Sequence, residues 1–296
     1  MRKTKRFLCL LTSLIMLLSL NVNTFANEKN DGYVVEINEY DEYIKSRAIT
    51  NTDLYKMGYS KEYVEEVKSN YIENELLKRS KLSVQELKEK YGYDENQINI
   101  IRNYDGQAIE EQPQLKVLFA TMTVNIYKYI ADNTQVAFIA SWDWSSMPFV
   151  NGKDLIAIRW QGTNTNGQSI NLVLNKSKSY CNIYYYNHAN GQPYEGYAAM
   201  DIKSKDSYSH AYSDIEMGKN FTWFGKSGTI KIHLDKLGTA QILETAFIVT
   251  YGHETTGFSS PTVSFPAGFS ITLKGNVEEM FYEVFRIDNK GNVIRY

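Results

Sequence analysis

From residue 113 onward, apolar positions recur at every second residue, the period of a strand with one buried face. Val124, Ile126 and Lys128 alternate with Thr123, Asn125 and Tyr127. Val136, Phe138, Ala140, Trp142 and Trp144 share one face of the next strand, and Ala137, Ile139, Ser141, Asp143 and Ser145 share the other. Ile156, Ile158 and Trp160 repeat the arrangement, opposed by Ala157 and Arg159. The same reading predicts strands over residues 170–174, 180–186, 229–234, 246–251, 269–273, 281–287 and 293–296. Turn-forming pairs separate them: Asp132-Asn133, Asn151-Gly152, Asn166-Gly167, Asn190-Gly191 and Asn289-Lys290-Gly291. About nine to eleven short antiparallel strands at this spacing predict a mainly β fold, a sandwich or jelly-roll-like domain over residues 113–296. One turn conflicts with its neighbours. A tight hairpin at Asn151-Gly152 would set Trp144 opposite Arg159, against the faces read from alternation. Pro148 lies between and cannot donate to a ladder, so a longer loop or a bulge is expected there.

Ahead of this region the period lengthens to three and four residues. Tyr63, Val67 and Tyr71 fall four apart, with Val64, Ile72 and Leu76 on the same stripe and Ser60 as N-cap. Ser83 with Glu86 forms a capping box for a second helix that Gly92 ends. Gly58-Tyr59-Ser60 before Val64 and Val67 resembles Gly92-Tyr93-Asp94 before Ile98 and Ile101. Residues 53–112 therefore read as an acidic helical region of two similar Gly-Tyr helix-turn units. Two copies fall short of the three a solenoid needs. They are expected either to pack together or against the back part, or to form a docking surface for a partner. Residues 27–52 read as a polar leader in which Val34, Val35 and Ile37 can make a short strand.

Residues 1–26 have the layout of an export signal. Arg2, Lys3, Lys5 and Arg6 precede an apolar run over residues 7–20, and Thr24-Phe25-Ala26 offers a cleavage site. The run is too short for a membrane span, and no later stretch in the mature chain approaches that length. A secreted, extracellular or cell-wall-associated protein is expected. Cys181 is the one cysteine beyond the signal, so an intrachain disulfide is excluded, which suits a Gram-positive exporter.

Charge narrows the partners. Lys plus Arg number 32 against 34 Asp plus Glu, a formal net charge of −2, so the basic footprint of a nucleic-acid binder is missing. The acidic excess lies ahead of residue 113, which supports a boundary there. Aromatic residues make up 14% of the chain and 23 of them are Tyr, a bias toward flat, amphipathic contact surfaces.

Candidate chemistry is sparse. His188, His210, His233 and His253 lack metal-ligand spacing, and phosphate-cradling or nucleophile-elbow motifs are missing, so neither a metal nor a cofactor is predicted. Cys181 shares a face with Ile183 and Tyr185 and reads as a small buried hydrophobe rather than a nucleophile. Asp143, Asp154, Asp201 and Glu254 are the acids nearest strand ends and aromatics, with Asp154 first among them. Trp142, Trp144 and Trp160 alternate with aliphatic residues and read as core. The run Tyr184-Tyr185-Tyr186 differs, because neighbours in a strand face opposite ways. Tyr184 and Tyr186 are expected outward and Tyr185 inward. The Asn190-Gly191 turn then returns Tyr194 or Tyr197 beside them. The predicted binding residues are Tyr184, Tyr186, Tyr194, Tyr197 and Asp154.

The order Trp142-Asp143-Trp144, Pro148, Asp154, Ile156, Ile158, Trp160 resembles a segment of uncharacterised exported β-rich proteins of Gram-positive bacteria. That resemblance implies export and β-structure and carries no activity. The reading that fits best is a non-catalytic exported protein whose β-domain surface binds a cell-wall polysaccharide or an envelope protein. The alternatives are an extracellular hydrolase with a spatially assembled carboxylate pair and a pore-forming β-protein.

Overall fold

The computed structural model describes residues 32–56, 61–193, 196–220, 222–254, 262–265, 269–274 and 277–296. The export signal, the Gly58-Tyr59-Ser60 unit and Tyr194 lie outside the described residues. The chain opens with strand β1 (Gly32–Asn38), so the stretch read as a polar leader is ordered structure from Gly32 onward. Its apolar signal is short because only every second residue, Tyr33, Val35 and Ile37, turns toward the core. Six helices follow: α1 (Glu39–Ala48), α2 (Asn51–Lys56), α3 (Lys61–Val67), α4 (Tyr71–Ser80), α5 (Val84–Tyr91) and α6 (Glu95–Arg102). Ser83 and Glu86 close the expected capping box on α5, and Gly92 ends that helix with φ 66°. Asp94 and Gln97 form a second capping box on α6.

After the helices come β2 (Thr121–Ala131), β3 (Gln135–Trp144), β4 (Lys153–Asn164), β5 (Ser169–Ile170), β6 (Leu172–Leu174) and β7 (Tyr180–Asn187). Then follow β8 (Gln192–Pro193), β9 (Ala198–Met200), β10 (His210–Glu216), β11 (Gly218–Asn220), β12 (Trp223–Lys236) and β13 (Ile242–Glu254). The last are β14 (Thr262–Ser264), β15 (Thr272–Lys274), β16 (Val277–Asp288) and β17 (Val293–Arg295). They build a sandwich of two antiparallel sheets and a small third sheet. A nine-stranded sheet runs β1-β2-β3-β12-β7-β8, with β11, β6 and β9 added at its flanks. A six-stranded sheet runs β10-β4-β13-β16-β17, with β5 beside β4.

This arrangement resolves the conflict at Asn151-Gly152. Strands β3 and β4 belong to different sheets, and the residues between them cross the sandwich. Trp144 and Trp160 therefore both face the core, and no hairpin register relates them. Alternation tells which face a residue takes, but not which sheet its strand joins.

The core lies between the two sheets. Phe138 packs against Phe247 and Phe285 at ring-centroid distances of 4.8 and 5.3 Å, and Trp142 lies 5.5 Å from Tyr251. Trp142, Trp144 and Trp160 are all buried, as their alternation predicts. Trp142 is accommodated by a glycine: a Cβ on its ladder partner Gly228 would sit 2.1 Å from the indole Cζ2. Gly228→Ala is expected to cost about 1–3 kcal/mol through overpacking. Urea unfolding of the variant checks this, and a loss below measurement error refutes it.

The outer faces of the two sheets are treated differently. On the six-stranded sheet, Leu155, Ala157 and Ile248 are covered by Ile271 and Leu273, with Val263 and Phe265 packed alongside. Among the described residues no second apolar cluster covers the outer face of the nine-stranded sheet, although Ala137, Ile139 and His233 on that face are buried and Tyr186 packs on Phe224. The helices sit elsewhere. Their core, which includes Tyr40, Leu76, Ile101 and Leu115, takes in Phe119 and Phe149 from the segments entering β2 and β4. They cap the end of the sandwich where β1 and β3 finish and β2 and β4 begin.

Candidate functional site

Two places gather the residues picked out from the sequence. The first is buried. Asp154, near the start of β4, is 0% exposed. Its Oδ1 accepts from His253 Nδ1 at 2.8 Å and from the Glu254 backbone N–H at 3.2 Å, and its Oδ2 accepts from the Tyr251 hydroxyl at 2.6 Å. On the far side of the imidazole, Nε2 lies 3.3 Å from Glu39 Oε1. Glu39 is the first residue of α1, and its carboxylate also accepts backbone N–H groups of Ala120 at 2.6 Å and Phe149 at 2.9 Å. The Trp144 ring stands 5.2 Å from His253.

Electrostatics follow from this enclosure. Burial opposes a charge on His253, but the Asp154 and Glu39 carboxylates outweigh it and hold its pKa well above the ordinary value. Burial and the neighbouring Asp154 push the Tyr251 hydroxyl well above its ordinary range. Burial likewise raises Glu254, whose Oε2 accepts the Lys153 backbone N–H. The cluster is an acid–imidazole–acid chain that ties the first helix to β4 and β13 of the six-stranded sheet and to the segments entering β2 and β4. Asp154 thus serves the interior of the protein rather than a ligand surface. Glycoside hydrolysis needs room for a sugar between two carboxyl groups. Asp154 at 0% exposed and Glu254 at 4% leave none.

Sequence reasoning selected Asp154 and Glu254 but missed Glu39 and Tyr251. Glu39 lies in the supposed leader, and its tie to Phe149 spans 110 positions, so no local spacing could signal it. The other histidines stay apart, and among the described residues no group of three or more His, Cys, Asp or Glu could hold a metal ion. His210 is buried and stacks on Phe265 at 3.8 Å. Burial pushes the Cys181 thiol up to about 11, which matches a packed, unreactive side chain. A cavity of about 170 Å³ in the helical region borders Arg47. That guanidinium is already engaged by Glu73 at 2.5 Å, Glu110 at 2.7 Å and the Tyr43 hydroxyl at 2.8 Å.

The second place is exposed. Along β7, Cys181, Ile183 and Tyr185 face the core, and Tyr180, Asn182 and Tyr184 face outward. The Asn190-Gly191 turn forms, pairing Tyr186 with Pro193 and Asn187 with Gln192. Tyr184 is 41% exposed and meets Tyr197 edge-on at 6.0 Å; Tyr197 is 57% exposed. Tyr186 is only half-buried and packs against Phe224 at 6.1 Å, tying it to the core. The exposed pair is therefore Tyr184 with Tyr197. Tyr127, Tyr129 and Tyr180 stand exposed on the same sheet, the first two on β2 and Tyr180 on β7.

No family model matches the chain, and no curated protein matches it. Among solved structures, it is similar to the collagen-binding domain from a Staphylococcus aureus adhesin at 14% identity. That match covers 55% of this chain and 97% of the other, with TM-score 0.32. It is similar to AvmM, which catalyses macrocyclization in alchivemycin A biosynthesis, at 9% identity over 56% and 88% of the two chains, with TM-score 0.28. It is also similar to the KRT10-binding region domain of the pneumococcal serine-rich repeat protein PsrP. Identity there is 11% over 54% and 88%, with TM-score 0.25. These matches mix binding domains with an enzyme, and at such scores none transfers a ligand or an activity. No helix among the described residues is long and apolar enough to cross a membrane.

Proposed function

We propose that the chain is an exported, non-catalytic binding protein that engages a cell-envelope component through the outer face of its nine-stranded sheet. The observation that carries the reading is the contrast between the two sheets. One outer face is covered by an apolar cluster of its own chain, while the other has no such cluster over it among the described residues and is set with exposed Tyr rings. Flat rings with a hydroxyl at the tip offer apolar area and a polar handle to an amphipathic ligand. The gathering of Asp154, Glu39 and His253 is enclosed and already hydrogen-bonded, which speaks against a hydrolase built on Asp154.

Co-sedimentation with isolated Gram-positive cell walls tests the reading. The wild-type chain is expected to pellet with the walls, and the double variant Tyr184→Ala with Tyr197→Ala is expected to bind several-fold more weakly. Both rings are exposed, so the melting temperature should stay within about 2 °C of wild type. Absence of wild-type binding, or equal binding by the variant, overturns it.

A further inference from the structure

The ladder registers set out three rows across the nine-stranded sheet. Thr123, Asp143, Ser227 and Tyr184 form the first, and Asn125, Ser141, Thr229 and Asn182 the second. Tyr127, Ile139, Lys231 and Tyr180 form the third. All lie on the face opposite the core. The second row is wholly polar and partly exposed, and none of its four side chains makes a hydrogen bond among the described residues. Elsewhere in this protein Asn side chains are consumed, as at Asn164 and Asn175. The row therefore presents free hydroxyl and amide groups, each able both to donate and to accept.

The third row supplies the rings. Tyr127 and Tyr180 are each 39% exposed, and neighbouring Tyr129 is 57% exposed with Lys231 Nζ 3.5 Å from its ring centroid. With strands about 4.8 Å apart, the backbones of Tyr127 and Tyr180 stand about 14 Å from each other across the sheet. Charges on the face cancel. Lys226 is paired with Asp143 at 2.7 Å, Lys231 is held over a ring, and Glu36 lies on β1 beside Thr123.

Three chemistries can be compared against this surface. A polyanion needs uncommitted cations, and the two lysines here are already engaged. An extended peptide is captured through free backbone groups at a sheet edge, whereas these rows lie mid-sheet, where the ladders use those groups. A chain of sugar rings needs mixed donors and acceptors beside flat apolar rings, which this face provides. We propose that the face binds an extended neutral polysaccharide, laid across the strands over Asn125, Ser141, Thr229 and Asn182 and flanked by Tyr129 and Tyr180. This rests on the binding reading above and names its ligand class.

Affinity electrophoresis of the full chain in gels holding soluble glucan, mannan or galactan tests it, with polyglutamate gels as the anionic comparison. At least one neutral polysaccharide should retard the wild type, and polyglutamate should not. Tyr129→Ala with Tyr180→Ala should weaken retardation about tenfold or more, as two lost ring contacts imply. Thr229→Val should weaken it without lowering the melting temperature, and Tyr55→Ala, on the exposed side of α2, should leave it unchanged. Retardation by polyglutamate alone, by none of the three glycans, or equally for wild type and the Tyr double variant overturns the proposal. If cell walls still capture the wild type in that event, only the ligand class is wrong. If they do not, the binding reading falls with it.

Discussion

Replacing His253 with alanine is expected to destabilise the protein by about 3–5 kcal/mol, because it leaves buried carboxylates facing each other without a counter-charge. Asp154 and Glu39 approach the imidazole from opposite sides, and all three residues are buried. The sign of the pH dependence follows from the raised folded-state pKa of His253. Its contribution is fully present below about pH 6.5, the unfolded value, and is lost as pH rises through the higher folded value. Urea titrations at pH 6 and at pH 9 should show the gap between wild type and His253→Ala shrinking at the higher pH. A loss below about 1 kcal/mol at pH 6 would mean that the charge chain contributes little to stability.

Tyr185→Ala should cost a comparable amount, about 3–5 kcal/mol, as other large aromatic truncations do. Its ring is 4% exposed, and its hydroxyl donates to the Glu216 carbonyl at 2.7 Å. Tyr185→Phe retains the ring and should lose only about 0.5–1.5 kcal/mol. If truncation to alanine is as mild as Tyr184→Ala, then β7 does not turn Tyr185 toward the core as its pairing with β12 requires. The ratio of these losses thus reports which face of the strand each Tyr occupies.

Tyr184 and Tyr185 also show what the sequence makes legible. Strict alternation in residues 180–186 placed Cys181, Ile183 and Tyr185 inside and Tyr184 outside, because a pleated strand leaves no other choice. The same logic overreached at Tyr186, which shares a face with Tyr184 by period yet packs on Phe224. Period gives the side of a strand but not what lies over it. The crossing from β3 to β4 was opaque for a related reason, since sheet membership depends on partners far along the chain. The Glu39, Asp154 and His253 assembly was the least legible, with His253 lying 99 positions beyond Asp154. Each residue is ordinary in its own segment, and only the tertiary fold gives it a counterpart. The rows on the open face required ladder registers, which alternation within single strands does not contain.

The pairing of β1 with β2 bears on how the chain comes together. Asn38 and Thr121 are neighbours in the ladder, yet every helix of the capping region lies between them in sequence. A chain emerging N-terminus first, as from a ribosome, therefore releases β1 long before its ladder partner among the described strands exists. The capped helices α5 and α6 draw on local capping bonds and can begin to form during the delay, whereas β1 must wait for β2 and the helical core is complete only when Phe119 and Phe149 arrive. During that interval Val35 and Ile37 have neither a paired strand nor a core to enter, and a chaperone holding this segment would protect them until β2 arrives. Assembly of this protein thus ends near its beginning.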